Sequence, residues 1–530
     1  TLAELVGAVA RLDPDRIALI FDDRSYTYSE LEARIEPAAR ALAARGVRRG
    51  DRVAVMLQNS LEFIEAFYGT LRLGAIVVPV NAMYKHHEVE HILRDSEPRA
   101  AVIDAALWPQ AAEAFAAVPV ETVALAGEPT QPTQPTQPTQ TAQTAQTAQT
   151  AQTASGTVAW HELTRDAPPR AGFTPEPSDA AVIIYTSGTT GKPKGAVHSH
   201  HTLLMNCRQS SAMLRRKFTA ADRALTPLPL AHLYAMQSGL NGMFRVGGSL
   251  VLMRRFDAAG VLANVERYRV TFLTGAPPMF IRWMAMPELR SFDLTSLRIV
   301  TCGAAPLAAT VLREFEDATG VRISESYGLT EAGPTTHSNS NGAVDKIGSV
   351  GPPAPLVESR LVGPDGRDVA PGEPGEIAVR SPSLMLGYWR NPQATADTIR
   401  DGWLFTGDVA TVDADGYYTI VDRLKDMISA GGYKIWPREI EDMLATHPAV
   451  SEVAVVGMPD DDLGERPAAF VVARPGATVS AADLLAFASA NLAAYKRPAH
   501  IEIVDSLPRL TTGKVLRRDL RERAKLLAAR

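Results

Sequence analysis

Cysteine is nearly absent: Cys207 and Cys302 are the only two in 530 residues. They stand far apart and without metal-ligand spacing, which excludes a disulfide framework and a thiolate zinc site and fits a reducing compartment. Long apolar runs are lacking too. The stretch from Thr1 to Phe21 is interrupted by Glu4, Arg11, Asp13, Asp15 and Arg16, and no later run approaches the roughly 20 apolar residues that cross a bilayer. No export signal and no integral membrane association are therefore expected, and a cytoplasmic location is. Neither sign of charge dominates. A net charge of -5 and a pI near 6.2 leave no broad basic surface, so nucleic acid is not an expected partner. What is present, 46% hydrophobic and 21% charged residues, is the balance of a folded soluble protein. A chain this long exceeds what one ordinary core organises, so more than one domain is expected.

Short β-rich runs alternate with helical patterns at Arg52 to Leu57, Ala75 to Val80, Ala100 to Ile103, Ala180 to Tyr185, Ser249 to Met253, Val270 to Thr274 and Leu297 to Cys302. Such alternation predicts an α/β fold of largely parallel sheets covered by helices. From Pro129 to Gln140 the triplet Pro-Thr-Gln occurs four times, and from Thr141 to Gln152 Thr-Ala-Gln occurs four times. With no charge and no large apolar residue, residues 129–155 read as a low-complexity loop insertion. A second boundary follows the turn signal Asp413-Ala-Asp-Gly416, at the charged run Asp422-Arg-Leu-Lys-Asp426. Beyond it, a helix opened by Pro437 with Ile440, Met443 and Leu444 on one face precedes further strand and helix patterns. Together they predict a small α+β unit. The expected organisation is a large multi-sheet N-terminal domain at 1–422, a hinge at 423–425 and a small, mobile C-terminal domain at 426–530.

The densest chemical signal is Tyr185-Thr-Ser-Gly-Thr-Thr-Gly-Lys-Pro-Lys-Gly195, an apolar strand running into hydroxyls, glycines and two lysines. Glycine lets backbone N–H groups converge on an anion, Thr and Ser add donors, and Lys192 and Lys194 add charge, so the loop suits phosphates. It is not the common nucleoside-triphosphatase loop, because Pro193 follows Lys192 where that motif needs a hydroxyl and an unbroken helix start.

This segment resembles the signature of the adenylate-forming superfamily: acyl-CoA synthetases, peptide-synthetase adenylation domains and beetle luciferases. Five further segments match in order. They are Pro227-Leu-Pro-Leu-Ala-His-Leu233, Glu325-Ser-Tyr-Gly-Leu-Thr-Glu331, Trp403-Leu-Phe-Thr-Gly-Asp408, Asp422-Arg-Leu-Lys-Asp426 continuing to Gly431-Gly-Tyr-Lys-Ile435, and Leu507-Pro-Arg-Leu-Thr-Thr-Gly-Lys514. The resemblance implies ATP, CoA and Mg²⁺ as the reaction's small molecules. It implies that Thr186, Ser187, Gly188, Thr189, Thr190, Gly191, Lys192 and Lys194 wrap the phosphates. Thr186 and Glu331 would hold Mg²⁺ through hard oxygens, and Thr330 would donate to the α-phosphate. Tyr327 would stack on adenine with Gly303 and Ala304 on its other side, and Glu325 would lie with the nucleotide contacts. Asp408 would accept the ribose hydroxyls beside Arg423. Lys514 would bridge the attacking carboxylate and the α-phosphate, His232 would orient the carboxylate at the acyl pocket, Lys425 would be the hinge pivot, and Gly431 and Gly432 would let pantetheine pass.

The implied activity is ATP-dependent ligation of a carboxylic acid to CoA through an acyl adenylate. The expected acid is a medium- or long-chain fatty acid, given the mostly apolar run Leu228 to Phe244. An aryl acid stays open, and Arg245, Arg254, Arg255 and Arg282 keep a dicarboxylate such as malonate open. No Asp stands between Leu230 and Met236 to hold an amino acid's ammonium. A luciferase-like oxygenase and a non-catalytic binding module are the rivals from other classes; the presence of Glu331 and Lys514 speaks against the second. A homodimer is compatible with this reading. His86, His87 and His91, like His198, His200 and His201, lack a partner motif, and neither group is expected to hold metal. The basic stretch Arg517 to Lys525 is expected to be a solvated helix face.

Overall fold

The computed structural model describes residues 1–127, 157–170, 172–186, 193–213, 215, 217–431, 433–509 and 515–528. The repeat insertion, Ser187 to Lys192, Gly432 and Lys514 therefore lie outside the described residues. All seven strands expected from the β-rich runs are present, with ends shifted by one or two residues.

Two eight-stranded sheets dominate among the described residues. In one, Ile76–Pro79, Arg52–Met56, Ala100–Asp104 and Thr122–Ala126 run parallel beside Ala180–Thr186. Their Val, Ile and Ala side chains are buried, as strands covered on both faces require. In the other, Arg223–Thr226, Ser249–Leu252, Phe272–Gly275, Ile299–Cys302 and Ile323–Tyr327 are parallel neighbours. Trp283, Phe280 and Phe315 pack edge-on and tilted over its core at 5.2–6.2 Å. A five-stranded antiparallel sheet includes Gly375–Arg380, Trp403–Val412 and Tyr418–Arg423. The mixed α/β class and its parallel-rich sheets are as the sequence implies.

Residues beyond Asp426 build their own five-stranded sheet, with Ile428–Ala430, Val450–Asp460, Gly464–Ala473 and His500–Ile503 among its strands. Pro437 opens the helix Pro437–Ala445, which buries Ile440 and Leu444 against this sheet. The basic stretch near the end keeps the expected solvated face at Arg518, Arg523 and Lys525 but is not solvated all round. It forms the helix Arg517–Ala528, but Leu520 and Ala524 are buried against Phe470 and Val456, and its arginines are paired. Arg517 reaches Glu441 at 2.7 Å and Arg521 reaches Asp426 at 2.5 Å. Charge counting missed this because two apolar residues four apart suffice to seat a helix whose cations then meet buried carboxylates. Among the described residues, no helix is long and apolar enough to cross a membrane.

Candidate active site

The strand Ile323–Tyr327 ends at an aromatic side chain whose hydroxyl donates to Asp408 Oδ2 at 2.7 Å. Asp408 faces Arg423 in the antiparallel register of Trp403–Val412 with Tyr418–Arg423, and Arg423 Nε lies 3.1 Å from Oδ1. The approach to Asp408 is fixed locally: Gly407 adopts a φ of +72°, and the Thr406 hydroxyl bonds Ile377 O while accepting from Asp408 N. Both oxygens of the buried Asp408 are engaged. Each keeps acceptor capacity for a second donor, so a vicinal diol could still be met. Glu325 is buried two residues before Tyr327 and accepts from Gly348 N–H; burial pushes its carboxyl up to about 7.

A second constellation forms around Glu331. Ala180–Thr186 and Lys194–Ser199 make an antiparallel pair in which Thr186 lies opposite Lys194, so both flank the hydroxyl- and glycine-rich loop. Lys194 Nζ sits 5.1 Å from the centre of the Tyr388 ring, a cation–π distance. The Tyr388 hydroxyl donates to Glu331 Oε1 at 2.8 Å. The backbone beside Glu331 is pinned as well: His198 Nε2 bonds Thr330 O at 2.7 Å, and Met385 N–H bonds Glu331 O. Ser199 and Thr202 form a capping box that starts the helix His200–Ala212 and seats His198 Nδ1 on Thr202. Burial lowers the His198 imidazole to about 4, so near neutrality Nε2 carries the proton that the carbonyl accepts. As donors, the Glu331 carboxylate and the Thr186 hydroxyl are hard oxygens of the kind Mg²⁺ takes; the set fits that ion.

The third group surrounds His232. Asn59 clamps its segment, donating to Leu228 O and Met253 O and accepting from Leu230 N–H. Asn81 Nδ2 lies 3.0 Å from His232 Nε2, while Asn81 Oδ1 accepts from Met83 N–H. That second bond fixes the amide orientation, so Nδ2 donates and Nε2 is the acceptor of a neutral ring protonated at Nδ1. Burial, lowering His232 to about 4, agrees. Two residues on, the Tyr234 hydroxyl lies 3.1 Å from Thr301 Oγ1, and a Cβ at Gly303 would come within 3.1 Å of the Tyr234 ring. Gly303 thus makes room for Tyr234, and Ala304 beside it takes a φ of +71°.

Tyr327, Asp408 and Arg423 therefore come together, Lys194 and Glu331 meet through Tyr388, and Thr186 lies opposite Lys194 on the neighbouring strand. Lys425 is exposed in the short turn Leu424–Asp426, and its carbonyl accepts from Arg521 at 3.3 Å. Gly431, with a φ of +56°, donates to Leu463 O. Sequence reasoning missed Tyr388, His198 and Asn81, which stand outside the motifs or at their margins and act only through tertiary contact. Of the dicarboxylate candidates, Arg254 pairs with Asp22 at 2.5 Å on the surface.

Residues 7–389 match the AMP-binding enzyme family and residues 439–514 the AMP-binding enzyme C-terminal domain. The chain belongs to this family and is an enzyme of its adenylate-forming acyl-CoA ligase class. It is 35% identical over 528 residues to a long-chain-fatty-acid–CoA ligase of Bacillus subtilis, covering 98% of this chain and 94% of that one. It is 37% identical to a feruloyl-CoA synthase of Amycolatopsis, with 97% of each covered. Among solved structures, anthranilate CoA ligase AuaEII in complex with anthranoyl-AMP superposes with a TM-score of 0.88 at 30% identity, covering 100% of this chain and 98% of the other. ATP-bound MatB from Rhodopseudomonas palustris gives 0.86 at 31% identity, with 99% of each chain covered.

Proposed function

We propose that this enzyme is an ATP-dependent carboxylate:CoA ligase acting on a medium- or long-chain fatty acid. The observation that carries the ligase reading is the joining of two constellations by one short segment. Tyr327, bonded to Asp408, and Glu331, bonded to Tyr388, are four residues apart, so a nucleoside and its phosphates can be held by one rigid run. The ATP-bound relative supports ATP as the nucleotide.

In this reading Tyr327 stacks on adenine, Glu325 lies beside the base, and Asp408 with Arg423 holds the ribose. Ser187, Gly188, Thr189, Thr190, Gly191, Lys192 and Lys194 surround the phosphates, and Thr330 donates to the α-phosphate. Glu331 and Thr186 would hold Mg²⁺, which when bound neutralises phosphate charge. His232, neutral and donating through Nδ1–H, orients the acid's carboxylate. Lys514 meets the carboxylate and α-phosphate as negative charge grows there, the setting in which preorganised donors lower a barrier most. CoA then displaces AMP from the acyl carbon, its pantetheine passing Gly431 and Gly432. The two steps are served by a domain of residues 1–422 and a mobile domain of 426–530, joined at 423–425.

The fatty acid is favoured by the long-chain ligase relative and by the mostly apolar run Leu228 to Phe244 around His232. An aryl acid is the second reading. Tyr234, held by Thr301 beside Gly303, offers a ring face and a phenol near His232, and the feruloyl-CoA synthase relative points the same way. A pyrophosphate-release screen over acetate, malonate, octanoate, palmitate, benzoate and a cinnamate, with and without CoA, separates these. Release with octanoate or palmitate, followed by CoA-dependent AMP formation, is the expected result. Release only with benzoate or the cinnamate would transfer the assignment to the aryl class. No acid-dependent release at all would overturn the ligase reading.

A further inference from the structure

The first turn of the helix His86–Ser96 carries a cluster of donors separate from the residues assigned above. His86, His87 and Glu90 each bring one imidazole or carboxylate atom to within 4.8 Å of the others. His86 Nε2 and Glu90 Oε2 are 3.2 Å apart, and the two imidazole ring centres lie 4.9 Å from each other. We propose that these three side chains bind a divalent transition-metal ion of the zinc type, leaving a fourth position for water.

The groups behind the three donors support this. The buried His86 Nδ1 makes no hydrogen bond among the described residues. It points toward Glu113 on the neighbouring helix Trp108–Ala117, whose Oε2 is 3.9 Å away. A metal on Nε2 would fix the proton on Nδ1, where Glu113 can accept it, which is the carboxylate–imidazole–metal arrangement that holds ligating histidines. Glu90 is braced in the same way: Arg94 donates to Oε1 at 2.9 and 2.7 Å, leaving Oε2 aimed at the imidazoles. The helix N-terminus, with its partial positive charge, opposes a cation there. Glu90 and Glu113 offset that with two carboxylates. An i,i+4 ion pair alone would account for His86 and Glu90 but not for the approach of His87. Imidazole donors select zinc, cobalt, nickel or copper over magnesium, so the site would take a different class of ion from the one that serves ATP. His91 is not part of it, since its Nε2 bonds Pro193 O at 2.9 Å.

The test uses untagged full-length protein stripped with a chelator and titrated with Zn²⁺ against a chromophoric competitor, and with Co²⁺ read by its visible absorption. One ion per chain is expected, with the intense cobalt band of a low-coordination site. His87→Ala and Glu90→Gln should weaken binding by about tenfold or more. Glu113→Gln, which leaves all three donors in place, should weaken it by roughly 10- to 100-fold, as loss of an outer carboxylate does. Thermal melts of the metal-free variants establish that they are folded. Wild-type affinity no tighter than that of His87→Ala, or an unchanged cobalt spectrum in Glu90→Gln, would overturn the proposal.

Discussion

At the scale of single residues, the bond from Asn81 to His232 shows how a side chain outside every motif can set the chemistry of one inside a motif. Met83 N–H holds the Asn81 carbonyl oxygen, so the amide can only donate to His232, and the ring is left with its proton on Nδ1. Asn81→Leu removes the donor and should raise KM for the acid about three- to tenfold, the worth of one neutral hydrogen bond. Asn81→Asp does something different. A carboxylate beside Nε2 favours the imidazolium, so His232 should titrate at a higher pH and introduce a new ionisation into the pH profile of adenylate formation. If both variants keep the wild-type KM and profile, Asn81 does not position His232. Tyr327, Asp408 and Glu331 were legible in the sequence because their motifs carry them. Tyr388, His198 and Asn81 were not, since their partners lie 57, 132 and 151 residues away and only the folded chain brings them together.

At the scale of elements, the parallel strands were legible because burial on both faces makes them continuous apolar runs, and the helix Pro437–Ala445 because proline marks its start. Histidine positions in sequence did not reveal the grouping: His91 turns to Pro193 O, while His86, His87 and Glu90 bring their donor atoms together. The repeat insertion connects Thr122–Ala126 to Thr157–Ala159, which the structure pairs in parallel, with Val123 opposite Thr157. A parallel connection must return along the strand and needs about a dozen residues or more. Removing Thr141 to Gln152 leaves ample chain, and loop-closure entropy changes slowly with length, so the melting temperature and activity should hardly move. Removing Pro129 to Gln152 leaves only Gly127, Glu128 and residues 153 to 156 to make the return, and should lower the melting temperature by several degrees. Equal stability of the two deletions, measured by thermal melts, would mean that the return path is not what limits the loop.

At the scale of the whole molecule, burial lowers His198, His200 and His232 to about 4 and His337 to about 3. Between about pH 6.5 and 4 the unfolded chain binds protons at these rings that the fold does not, so stability must fall as pH falls, by up to about 1.4 kcal/mol per ring per unit. Glu325, raised to about 7, works in the opposite sense, as do Glu65, Asp422 and Asp442, also raised by burial, whereas Glu36, Asp179 and Asp222, held low against their burial by arginine partners, add to the loss as the pH falls. Melting temperatures that stay level or rise from pH 7 to pH 5 would contradict this. The proposed hinge is the other matter at this scale. Asp422 accepts from Arg438 N–H at 2.9 Å, while Arg521 holds both the Lys425 carbonyl and Asp426, so the backbone on either side of Lys425 is tied to residues that follow it in the chain. Lys514 and Gly431 both follow Lys425 in sequence, yet the proposed reaction needs one at the phosphate and the other along the thiol's route, which a rotation about Lys425, as proposed above, would reconcile. Lys425 lies in a short 3₁₀ turn, whose backbone suits the φ near -65° that proline imposes. Lys425→Pro should therefore fold normally but resist any rotation that changes this angle. We expect it to retain pyrophosphate release with acid and ATP while losing most thioester formation, measured by single-turnover assays of each half-reaction. Wild-type rates in both would rule out a pivot at Lys425, and equal losses in both would point to damage to the shared site instead of to the rotation.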